Sequence, residues 1–176
     1  YDRVEGGSRA NVAVQYTAQF NGGGYVNALF GQSYQLFGQN SFAIPDTANT
    51  GLESGLDTRA SDYVARLIFQ PTSTYAFISR FRLDEQSFDV RRVELESRVN
   101  FERWSLSLLY GNYDAQPEIG ILTRRQGVVA SGSVKLTQNW SLTGGFRYDP
   151  EVDKINQTTI GLGYIDDCFA ISLNYL

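Results

Sequence analysis

Trp140-Ser141-Leu142-Thr143-Gly144-Gly145-Phe146-Arg147-Tyr148 alternates without a break. Trp140, Leu142, Gly144, Phe146 and Tyr148 share one face; Ser141, Thr143, Gly145 and Arg147 share the other. A side-chain period of two means a strand. Eight steps of roughly 3.3 Å give about 26 Å of length. Tilted by about 40°, such a strand covers most of an apolar band about 25 Å tall with an aromatic girdle at each edge. The same writing recurs near the C-terminus, where Phe169, Ile171, Leu173 and Tyr175 oppose Cys168, Ala170, Ser172 and Asn174. The pattern is that of strands crossing a membrane in a β-barrel.

The bulk numbers agree once half of every strand faces water. Hydrophobic residues make up 42% of 176 and mean hydropathy is −0.28. No run approaches the 18 apolar residues that a membrane helix needs. Tyr1-Asp2-Arg3-Val4-Glu5 has neither the basic start nor the apolar core of a signal peptide. A net charge of −4 argues against nucleic acid as a partner. Histidine is absent. That removes Ser-His and Cys-His nucleophiles and any histidine metal site. Composition therefore points away from catalysis, and no cofactor or metal site is expected.

Ten strands can be read. They run over about 11–20, 25–34, 63–69, 75–83, 92–101, 104–110, 127–136, 140–148, 157–165 and from Cys168 onward. No helical pattern appears. The fold class expected is all-β, an antiparallel meander of about ten transmembrane strands. The stretch from Phe37 to Ser61, with Gly38, Pro45, Gly51 and Gly55 and no apolar period, reads as a surface loop rather than buried core. Connections alternate short and long, and in outer-membrane barrels the short ones are periplasmic. On that rule the turns at Gly22, Thr72, Glu102, Gln138 and Asp166 are periplasmic and residue 176 lies outside. Barrels of this kind keep both termini in the periplasm. The expectation is thus one domain over 1–176 that is a segment of a larger barrel, lacking strands before Tyr1 and at least one after Leu176.

The face opposite the apolar stripe carries Arg66, Arg80, Arg82, Arg92, Glu94, Glu96, Arg98, Lys135 and Arg147. These are the candidate lumen-facing charges, expected in cross-strand ladders such as Arg92 and Glu94 against Arg80 and Arg82. A soluble β-sandwich would show the same alternation with inside and outside exchanged. Glu94 and Glu96 could suggest acid–base work, but flanking arginines make an ion-pair ladder the simpler reading. Cys168 follows the paired acids Asp166 and Asp167. As the one cysteine it is either an inert thiol or the partner of a cysteine elsewhere.

Specific segments resemble a known family. Tyr1-Asp2-Arg3-Val4-Glu5-Gly6-Gly7, Gly31-Gln32-Ser33-Tyr34-Gln35-Leu36-Phe37-Gly38, Gly51-Leu52-Glu53-Ser54-Gly55-Leu56-Asp57 and Ser61-Asp62-Tyr63-Val64-Ala65-Arg66 are similar to the C-terminal barrel half of the lipopolysaccharide-assembly outer-membrane proteins LptD (OstA), in an alphaproteobacterial flavour. Tyr164-Ile165-Asp166-Asp167-Cys168-Phe169-Ala170 resembles that family's cysteine-bearing periplasmic turn. The resemblance implies a barrel of about 26 strands in the Gram-negative outer membrane, fed from a periplasmic jellyroll. Its implied partners are lipopolysaccharide, an LptE-like plug lipoprotein and a periplasmic bridge protein. It also implies a disulfide from Cys168 to the upstream domain. Where the family carries two consecutive cysteines, Asp167 precedes a single Cys168, leaving room for one such bond. Two other readings stay open: a small outer-membrane barrel, porin-like or enzymatic, and a soluble β-sandwich binding module.

Overall fold

The computed structural model describes residues 6–43, 55–115, 117 and 122–175. Ten strands follow in order: β1 (Gly7–Gln19), β2 (Tyr25–Gly38), β3 (Tyr63–Gln70), β4 (Tyr75–Leu83), β5 (Val90–Asn100), β6 (Trp104–Tyr113), β7 (Arg125–Lys135), β8 (Trp140–Asp149), β9 (Lys154–Ile165) and β10 (Ala170–Tyr175). They form one sheet in sequential order, every pair antiparallel. Links of a few residues can join only antiparallel neighbours, which dictates the meander. The sheet is open: β1 and β10 are its two edges. No α-helix occurs among the described residues, and a 3-10 turn spans Ser41–Ala43.

Register carries the alternation of each strand coherently across the sheet. One row runs through Arg66, Arg80, Glu94 and Gly111; a parallel row on the other face runs through Trp104 and Val134. A one-residue slip would have exchanged the faces. Among the described residues no hydrophobic side chain is buried, while Asn27, Gln32, Ser33, Ser61, Arg82 and Asp84 are. A β-sandwich has the reverse order, with two inner faces interdigitating in an apolar core. The described residues form a single layer, and the sandwich reading falls on that observation.

The apolar face is bounded by rings at both ends. At the short-turn end Phe20 meets Phe69, Phe69 meets Phe77, Tyr75 meets Phe101 and Phe101 meets Trp104. The series continues through Trp140, Tyr164 and Phe169. At the opposite end Phe30, Tyr63 and Phe88 stack in turn, with centroids 5.3 and 4.9 Å apart. Phe88 stands on the β4–β5 turn at φ 61°, a left-handed conformation unusual for so bulky a residue. The stack it completes offsets that strain. Residues 39–62, 84–89, 114–124 and 150–153 link strands at this end; 20–24, 71–74, 101–103, 136–139 and 166–169 link them at the other.

Three expectations need correction. First, β1 starts at Gly7 and β2 runs on to Gly38, both farther than the periodicity suggests. A register shift between Ser8 and Arg9 breaks the alternation there and hides the continuation. Second, Cys168 does not begin a strand. The Asp166 carboxylate accepts the N–H groups of Cys168 and Phe169, holding both in a turn, and β10 starts at Ala170. Third, the 37–61 stretch does not stand off as a loop throughout. Residues 44–54 lie outside the described residues, but from Gly55 the chain folds back onto the sheet. The Ser33 N–H donates to Ser61 Oγ, the Ser61 N–H donates to the Ser33 carbonyl, and Gln32 donates to the Ser61 carbonyl. Burying backbone polar groups is tolerable only when they are paired in this way.

Candidate functional site

All nine sequence-predicted charges share one face of the sheet by register. The structure brings only some of them together. On β4 and β5, Arg80 lies 3.6 Å from Glu94 and 3.3 Å from Glu96. Arg98 closes on Glu96 and Arg92 on Glu94. The Tyr113 hydroxyl donates to Glu94 at 2.8 Å. Glu94 and Glu96 are therefore each clamped by two arginines and serve as ladder members, the arrangement expected from the sequence. Lys135 and Arg147 lie on β7 and β8, away from this ladder.

Two pairings depart from simple cross-strand logic. Register sets Arg66 opposite Arg80, and Arg82 opposite Arg92. Like charges directly opposite are destabilising, and both clashes are relieved sideways. Arg66 turns to the Asn27 side-chain oxygen at 3.0 Å. Arg82 turns to Asp62, 3.0 Å away on the returning arm of the 39–62 connection.

That second contact opens a cluster that sequence reading missed. Asp84, just after β4, accepts the N–H groups of Gln86 and Ser87 and pairs with Arg91 at 2.6 Å. Arg91 also reaches Asp114 at 3.6 Å, and Arg124 approaches Asp114 at 3.4 Å. Three connections at one end of the sheet are thereby tied by charge: 55–62, 84–89 and the start of 114–124. Asp62, Asp84 and Asp114 sit on three different connections, against Arg82 of β4 and Arg91 of β5, so spacing in sequence gives no signal. Asp62, Asp84 and Glu85 bring carboxylate oxygens within 4.8 Å of one another, with Arg82 and Arg91 against them as counter-charges.

The two central acids are tuned oppositely. The Ser87 backbone N–H, then Arg91, hold the Asp84 carboxyl far below the usual range. Desolvation pushes Asp62 up to about 6; Arg82 pulls it down and neighbouring Glu85 adds to the rise. Between about pH 6 and the ordinary 3.8, the folded chain therefore takes up a proton that the unfolded chain does not. Relative to an Asp62→Asn variant, wild-type stability should rise as pH falls through about 6 and level off below about 4. Thermal midpoints of both proteins across pH 4–8 check this; parallel curves contradict it.

A segment of β-barrel wall is the class these features define: a single antiparallel layer, one apolar face between two aromatic belts, one face of charge and hydroxyl. The family model for LptD, described as LPS transport system D, matches residues 1–120 and 116–176. The chain belongs to the LptD family. A relative from Aliivibrio fischeri (strain ATCC 700601 / ES114), named LPS-assembly protein LptD, is 23% identical over 157 residues. The match covers 85% of this chain and 19% of the relative, so the chain spans less than a fifth of that protein's length.

Proposed function

We propose that this chain is a wall segment of a larger outer-membrane β-barrel that delivers lipopolysaccharide to the outer leaflet of the Gram-negative outer membrane. The observation that carries the reading is the uncovered apolar face between two aromatic belts, in a member of the LptD family. In this arrangement that face meets lipid, and Arg66, Arg80, Arg82, Arg92, Glu94, Glu96, Arg98, Lys135 and Arg147 line the lumen. An LptE-like plug lipoprotein fills that lumen, and a periplasmic bridge protein supplies cargo from below. The work is transport, driven from elsewhere, and needs no chemistry on the lipid. Both sheet edges then pair with strands of the full barrel, since an exposed edge is a row of unpaired N–H and C=O groups. Depleting the protein in cells tests the role: newly made lipopolysaccharide should stop reaching the surface. Undiminished arrival would contradict it.

Cys168 is exposed, at the short-turn end, and is the chain's one cysteine. In a periplasm kept oxidising, a disulfide to the upstream domain would hold that domain in line with the barrel. Replacing Cys168 with serine should change the mobility of the intact protein on non-reducing gels. Unchanged mobility removes the bond from the account.

A further inference from the structure

Arg92, Arg125 and Arg147 border one pocket of about 330 Å³ on the polar face, toward the long-connection end of β5 to β8. Its remaining wall includes Tyr113 and two glycines, Gly111 and Gly127, and no acidic residue lines it. The Arg92 guanidinium lies 4.8 Å from the centre of the Tyr113 ring and the Arg125 guanidinium 5.9 Å from it. An aromatic face lets two cations approach one another at reduced cost. Arg92 is also tied to Glu94, which is not among the lining residues. Arg147 forms no ion pair or side-chain hydrogen bond among the described residues. It sits beside a register shift between Arg147 and Tyr148, where β8 departs from regular pairing with β9. A side chain at Gly127 would meet nothing nearer than the Tyr148 carbonyl at 4.0 Å, so the floor is open.

With no acidic side chain among the lining residues, an anion seated in the pocket can contact all three guanidiniums at once. Arginine's planar fork suits oxyanions, and a phosphate can accept from several at once. We infer that Arg92, Arg125 and Arg147 form a binding site for a phosphate group. The site faces the lumen under the transport reading, on which its cargo assignment rests. The phosphate it meets there is one carried on the sugar part of the lipopolysaccharide.

The test titrates the intact, detergent-solubilised protein with inorganic phosphate, with lipopolysaccharide, and with lipopolysaccharide dephosphorylated by hydrofluoric acid. Arg147→Gln should weaken binding of phosphate and of intact lipopolysaccharide about tenfold, the scale of one charge-assisted contact. Arg147→Lys should recover most of it. Gly127→Glu, which places a carboxylate in the pocket and keeps all three arginines, should cause the same loss. Arg103→Gln, at the opposite end of the sheet, should leave binding unchanged. Dephosphorylated lipopolysaccharide should bind wild type more weakly than the intact form, and bind wild type and Arg147→Gln alike. Equal binding of the two lipopolysaccharide forms to wild type overturns the cargo assignment, even if free phosphate binds. Phosphate binding insensitive to Arg147→Gln and Gly127→Glu overturns the site. Failure of every form of lipopolysaccharide to bind overturns the transport reading, whatever free phosphate does.

Discussion

Leu95→Arg should abolish assembly of the barrel into the membrane. Leu95 sits at the middle of β5, on the apolar face, opposite Ser79 of β4 and Tyr110 of β6. An arginine facing lipid at mid-bilayer costs about 2–4 kcal/mol, a large share of a typical domain's net stability. The same residue placed on the other face stays out of lipid, among hydroxyls. Ser131→Arg on β7, beside Gly132 and across from Ser107, should therefore be tolerated. Glu94→Arg is no neutral comparison, because it would leave Arg80 and Arg92 facing a third cation where they now share a carboxylate. Folded protein in the membrane fraction, counted by heat-modifiable mobility, reads the difference. Equal yields of Leu95→Arg and Ser131→Arg would contradict the assignment of faces.

Arg82→Ala should release the returning arm from the sheet. Arg82 and Asp62 are both largely shielded from solvent, and removing one partner leaves the other charge uncompensated. Breaking a fully buried pair costs about 3–5 kcal/mol. Asp62 can escape part of that by taking a proton, so about 2–3 kcal/mol is expected at neutral pH, or roughly a 30- to 150-fold shift toward the undocked arm. Limited proteolysis around residues 55–62 measures that population. The double variant Arg82→Leu with Asp62→Leu should recover most of the protection, since replacing a buried pair by apolar groups is often neutral. Unchanged cleavage in Arg82→Ala would show that hydrogen bonds such as those joining Gln32 and Ser33 to Ser61 hold the arm without the ion pair.

Strand identity was legible because alternation is local. Trp140–Tyr148 and Tyr75–Leu83 could be delimited almost to the residue from period and turn composition. The ladder of Arg80, Glu94 and Glu96 was legible as well, because a sequential meander leaves little freedom in register. Strand ends were harder wherever a bulge or a side-chain cap intervenes. The shift at Ser8 and Arg9 concealed four residues of β1, and the Asp166 carboxylate withdrew Cys168 from β10. The loop clamp of Asp62, Asp84, Arg91 and Asp114 could not be read at all. Its three aspartates come from three connections and Arg91 from β5, with no shared period, and only the folded sheet sets them side by side. The arginine pocket was half visible: Arg92 and Arg147 stood out on the polar face, while Arg125 lies just before the point where periodicity becomes evident on β7.

The alternating faces of β8 test the central claim most directly. Single cysteines at 141, 142, 143, 146 and 147, placed in the intact protein in lipid bilayers with Cys168 replaced by serine, can each carry a spin label. Collision with oxygen, which concentrates in lipid, and with a water-soluble nickel chelate then reports the surroundings of each site. Labels at Leu142 and Phe146 should respond to oxygen, and those at Ser141, Thr143 and Arg147 to nickel, giving a period of two along the strand. Equal nickel access at all five positions, or the reverse pattern, would contradict a wall with lipid on one side and a lumen on the other.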